Sequence, residues 1–76
     1  MVKAYIMVTS SIGDVREVYS RLEDLDNAID LNIVTGPFDI VVLVEADDLP
    51  VLTNAVVEEI REIDGVVDTN TAIVVE

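Results

Sequence analysis

Residues 25–33, LDNAIDLNI, and residues 63–71, IDGVVDTNT, carry one pattern twice, at an offset of 38 in a chain of 76 residues. The same offset lays Val2–Val8 over Ile40–Ala46. Two copies of one half restrict the chain to folds that are themselves two similar halves packed together.

Local patterning says what each half contains. Val2–Thr9 reads as a strand, with Val2, Ala4, Ile6 and Val8 on one face. Ser10–Gly13 is a turn. From Asp14 the spacing becomes helical, with Val15, Val18, Tyr19, Leu22 and Leu25 along one stripe and Arg16, Glu17, Arg21, Glu23 and Asp24 outside it. Asp26 and Asn27 stop that helix. Ala28–Thr35 alternates strictly, Ile29, Leu31 and Ile33 against Asp30 and Asn32, as a half-buried strand does. Gly36-Pro37 turns the chain into Ile40–Glu45, a strand apolar on both faces. Asp47 or Asp48 then caps a second helix whose first turn tolerates Pro50. Its apolar stripe is Leu49, Leu52, Val56, Ile60 and Ile63, and Gly65 is suited to end it in a left-handed conformation. Val66–Val75 is the last strand.

The order is βαββαβ, and each half is a βαβ unit. The expected fold is therefore α+β, a ferredoxin-like sandwich of one domain over residues 1–76. Four antiparallel strands carry both helices on one face, with the first and third strands at the centre.

A domain this small buries about 60–65% of its unfolded surface and commonly needs a disulfide, a metal or association. The chain has no Cys and no His, which excludes disulfides and thiolate or imidazole metal sites. Association remains, and the residues say where. On the central strands the face away from the helices should be polar in a monomer, yet it carries Tyr5, Met7, Val41 and Leu43. A sheet-to-sheet homodimer is expected through those four residues, with Asp30, Asn32, Asp68 and Asn70 of the edge strands as its wet rim.

The net charge is −12, with sixteen acids against Lys3, Arg16, Arg21 and Arg61. Nucleic acids are held by neutralising their phosphates, so neither direct DNA or RNA binding nor docking on an anionic membrane is expected. Scarce lysine with abundant acid fits a salt-rich cytoplasm, and equally fits acidity kept for solubility. No signal peptide is legible, and no apolar run approaches the ~20 residues of a membrane span. A cytoplasmic location is expected.

Catalytic chemistry finds little purchase. Ser10, Ser11 and Ser20 have no base close in sequence, and the three glycines are too scattered for a phosphate loop. Asp47-Asp48 reads as a helix start and Glu58-Glu59 as a solvated helix face. No enzyme activity, cofactor or metal is expected. Two polar stretches stand out instead. In Gly36-Pro37-Phe38-Asp39 an acid lies beside loop amides, an arrangement that suits the ammonium and carboxylate of an α-amino acid. The same residues also suit a plain hairpin turn in which Asp39 bonds its own turn amides. In Asp68-Thr69-Asn70-Thr71 the two Thr hydroxyls share a face and could reach a small polar ligand, or could simply be good strand formers on an edge.

Taken in order, these stretches resemble the effector-binding (RAM) domain of the Lrp/AsnC family of transcription regulators. The resemblance spans the chain: Thr35-Gly36-Pro37-Phe38-Asp39 before the apolar strand, Ala46-Asp47-Asp48 opening the second helix, and Ile63-Asp64-Gly65-Val66-Val67 leading to Thr69-x-Thr71. It implies the same sandwich, paired sheet to sheet into dimers that assemble into tetramers or octamers and bind amino acids between subunits. It implies Gly36, Phe38 and Asp39 as the loop side of the ligand site, Asp39 facing the ammonium, with Thr69 and Thr71 as the hydroxyl side, supplied by a neighbouring subunit. The first strand starts at Val2, so the resemblance implies a stand-alone effector domain without a helix-turn-helix, acting through full-length Lrp/AsnC regulators. Pro37 departs from an ideal anion loop because it has no N–H. Other readings of the same fold are a pure assembly module without ligand, an ACT-like regulatory domain of a metabolic enzyme, and a small ferredoxin-like enzyme.

Overall fold

The computed structural model describes residues 1–76 as six elements. They are β1 (Val2–Ser10), α1 (Val15–Glu23), β2 (Ala28–Ile33), β3 (Ile40–Ala46), α2 (49–61) and β4 (Val66–Ile73). One antiparallel sheet has the order β2-β3-β1-β4, which places the first and third strands at its centre. The two crossovers are the helices, α1 from β1 to β2 past β3 and α2 from β3 to β4 past β1, and both lie on one face of the sheet.

The alternation read from the sequence is the alternation of burial. Ala4, Ile6 and Val8 of β1 and Ile40, Val42, Val44 and Ala46 of β3 lie under the helices. They meet Val18 and Leu22 of α1 and Leu52, Val56 and Ile60 of α2 to form one core of 12 apolar residues. Ser10 is the only buried polar residue.

Three elements differ from their sequence pattern, each for a local reason. The expected strict alternation of 28–35 fails at its start: the register of β2 on β3 shifts between Ala28 and Asp30. Ile29 is the extra residue of this bulge and stays 46% exposed. The first helix stops at Glu23 rather than Leu25, and Asp24 and Leu25 continue as tighter turns through N–H bonds to Arg21 O and Leu22 O. Leu25 still packs on the core. In α2 the Asp48 carboxylate, not Asp47, caps the start by accepting from the Val51 N–H at 2.9 Å. The helix then widens into a π-turn over Leu52–Val56, where the Val57 N–H reaches back to Leu52 O. The Thr53 hydroxyl donates to Leu49 O at 3.1 Å, and such a side-chain bond to the previous turn competes with the ordinary ladder.

Gly65 shows why its position requires glycine. Its φ is +99°, and a Cβ there would meet Val18 Cγ2 at 3.0 Å and Asp14 Cβ at 3.1 Å. The close approach seats the end of α2 on the start of α1, and Ser11 N–H donates to Gly65 O at 2.8 Å.

Candidate functional site

The turn 35–38 is closed by the Val34 N–H donating to Asp39 O at 2.9 Å, while the Asp39 N–H donates to Val8 O at 3.0 Å. Asp39 is thus held by its backbone from both sides, as a strand residue leading into β3. Gly36, at φ +128°, makes the reversal. Phe38 and Asp39 are half-buried, and Gly36 and Pro37 are exposed.

The Asp39 carboxylate does not bond its own turn amides. Its Oδ2 accepts from the Ser10 N–H at 2.9 Å, with the Ser10 hydroxyl more distant at 3.4 Å. Ser10 sits where the β1–β4 register shifts, between Thr9 and Ser10. The register shift leaves its extra residue, Val67, in β4. The Ser10 N–H faces β3 by the same alternation that aims Val8 O at Asp39, and a buried donor needs an acceptor. Asp39 supplies it and keeps Oδ1 without a hydrogen bond. Sequence reasoning missed Ser10. It is 29 residues from Asp39, and no short-range pattern joins the two.

The threonines lie elsewhere. Thr69 pairs with Val8 and Thr71 with Ile6, so both take the register of the helix-covered face, at the β4 edge. Thr69 is half-buried and Thr71 exposed. Val8 stands between Ile40 and Thr69, which places β1 between Asp39 and the threonines, about 10 Å for two strand spacings. A single copy does not bring the two sets together. Its one concavity, an open groove of about 270 Å³ between Val2-Lys3 and Val74-Val75, lies at the opposite end of β1.

On the sheet face without helices, Tyr5 stands opposite Leu43 and Met7 opposite Val41. Tyr5 is 46% exposed, and the other three are half-buried. Register sets Asp30 beside Leu43, Asn32 beside Val41, Asn70 beside Met7 and Asp68 beside Thr9. The face therefore has Tyr5, Met7, Val41 and Leu43 at the centre of its two inner strands, Asp30 and Asn32 along one edge, and Asp68, Asn70 and Ala72 along the other. No helix is long and apolar enough to cross a membrane, and no group of three or more acids converges as a metal site would.

Comparison with known proteins places this geometry. The model of the Lrp/AsnC ligand binding domain matches residues 3–76. An uncharacterised HTH-type transcriptional regulator of Pyrococcus abyssi is 36% identical over 70 residues, which is 92% of this chain and 44% of the relative. The chain thus spans less than half the length of the curated relatives that it matches. The crystal structure of FFRP-DM1 superposes with a TM-score of 0.92 at 32% identity, covering 99% of this chain and 100% of that one. A Neisseria meningitidis transcriptional regulator, solved as a complex with L-Met, shares the fold at a TM-score of 0.86 and 19% identity, over 99% of this chain and 50% of its own.

Proposed function

The chain belongs to the Lrp/AsnC ligand binding domain family, and from that premise we propose that it is an amino-acid-sensing and oligomerisation module that modulates transcription through Lrp/AsnC-type regulators. The carrying observation is the placement of Asp39. A carboxylate with one oxygen anchored on Ser10 and the other unbonded stands beside the half-buried Phe38, at the end of the apolar face. An anchored carboxylate with a spare oxygen suits an ammonium group, and the ring suits an apolar side chain. The separation of Asp39 from Thr69 and Thr71, which lie on the helix-covered side at the β4 edge, favours a site completed by a copy outside the sheet-to-sheet dimer, from which the threonines come. Tyr5, Met7, Val41 and Leu43 would form the dimer, and tetramers or octamers would follow from contacts between dimers.

One observation favours a second reading, an assembly module without ligand: Asp39 already has a structural task in holding the Ser10 amide. Thermal melts with L-Met and the other common amino acids separate the two. A ligand that binds only the folded protein stabilises it by mass action, about 2.7 kcal/mol at a hundredfold excess over Kd. A concentration-dependent rise in Tm with at least one amino acid is expected. A flat response across the panel at millimolar concentration leaves the assembly module.

A further inference from the structure

We propose that self-association through the open sheet face is gated by ionic strength, with Asp30, Glu45 and Asp68 as the repelling groups. The inference rests on the sheet-to-sheet dimer proposed above. Register sets the charges of that face. Lys3, Tyr5, Met7 and Thr9 of β1 and Val41, Leu43 and Glu45 of β3 alternate with the buried residues and so turn away from the helices. Glu45 stands opposite Lys3, while Asp30 and Asp68 lie on the outer strands beside Leu43 and Thr9.

Area forces these acids into the contact. Four strands span only about 14 Å between the outer two, and the apolar part is just the two inner columns. The largest face of the molecule measures 34 × 22 Å, and a standard interface takes about 800 Å² from each partner. An identical copy cannot cover Tyr5, Met7, Val41 and Leu43 and leave the outer columns outside. It must bring Asp30, Glu45 and Asp68 into the contact, between two chains of net charge −12 each. Lys3 is the only cation on this face. Arg16 and Arg21 lie on α1 and Arg61 on α2, across the sheet, where Arg21 pairs with Glu17 at 3.7 Å and Arg61 with Glu58 at 3.8 Å.

Screening decides which force prevails. At 0.1 M salt the Debye length is about 10 Å, two strand spacings, so each acid feels those of the partner; at 1 M it is about 3 Å, less than one spacing. The attraction of the apolar columns is not screened. Association should therefore strengthen with salt, against the usual behaviour of a contact held by ion pairs.

Sedimentation equilibrium of the full chain and of Asp30→Asn/Asp68→Asn, in KCl from 0.1 to 1 M, tests this. Both positions are exposed, and asparagine already stands at 32 and 70 in the same columns, so the variant should fold, as circular dichroism would verify. For the parent chain the dimer Kd should fall by about tenfold or more over this range. The variant should dimerise more tightly than the parent at 0.1 M and respond less to salt. A parent dimer whose Kd is flat or rises with salt, or a variant with an unchanged salt response, overturns the gating and leaves the dimer standing. A parent chain monomeric at every salt concentration removes the sheet-to-sheet dimer itself.

Discussion

The backbone N–H of Ser10 donates to Oδ2 of Asp39 at 2.9 Å, joining the end of β1 to the residue that leads the turn 35–38 into β3. One carboxylate oxygen thus satisfies a buried donor, and the other, Oδ1, keeps no hydrogen bond.

Replacing Asp39 separates this structural task from the proposed contact with a ligand. Asp39→Ala leaves the Ser10 N–H without a partner and should cost about 1–3 kcal/mol. In a domain of this size that lowers Tm by roughly 4–8 °C for each kcal/mol. Asp39→Asn keeps an acceptor oxygen and should cost about 1 kcal/mol or less, while abolishing any amino-acid-dependent rise in Tm. A rise that persists in Asp39→Asn clears Asp39 of contact with the ligand.

Gly65 and Gly13 form a controlled pair. Both have positive φ, +99° and +89°, but a Cβ at Gly65 would press on Val18 and Asp14 while one at Gly13 meets nothing within 4 Å. Gly13→Ala should lose only the left-handed backbone term, about 1–2 kcal/mol. Gly65→Ala adds a clash at the α1–α2 junction and should lose at least about 1 kcal/mol more. Equal losses in urea unfolding would refute the role of the close approach.

Leu43→Lys places a charge at the centre of the open face, beside Asp30 and opposite Tyr5. The helix-covered core is untouched, so the far-ultraviolet dichroism should be retained. Dimer affinity should fall by about tenfold or more, since a charge left in the apolar centre of a contact is costly to desolvate. Native mass spectrometry across a dilution series reads the outcome, and an unshifted monomer–dimer balance places the interface on another surface.

Asp48→Ala removes the side-chain cap of α2, whose Oδ1 accepts from the Val51 N–H at 2.9 Å. A lost cap costs about 1 kcal/mol. The neighbouring Asp47 has no such bond, so Asp47→Ala should change stability by less than about 0.5 kcal/mol. Equal effects on thermal unfolding would mean that Asp48 acts through charge alone.

Much of the fold is legible because its determinants are short in range. Ala4, Ile6 and Val8 alternate, Val18 and Leu22 recur at helical spacing, and the 38-residue repeat dictates two similar halves. Ile29 shows the limit. It continues the alternation of Leu31 and Ile33, yet it is the unpaired residue of the bulge in β2. A bulge is a property of the pair of strands, and the pattern of one strand does not contain it. The candidate site was legible in part. The turn 36–39 and Thr69-x-Thr71 stand out as polar breaks, but the intervening β1 that separates them in one copy does not.

Residue order by itself determined the βαββαβ succession, the two faces of the sheet and the acidic balance, because each depends on periodicity or on a count. Only the tertiary structure decided what Asp39 touches. The alternatives open in the sequence were an acid on its own turn amides and an acid free for a ligand. The structure has neither in full, since pairing β1 with β3 brings in an amide from 29 residues away. A hydrogen bond forms between neighbours in space, and strand register, a cooperative outcome of the whole core, sets which residues are neighbours.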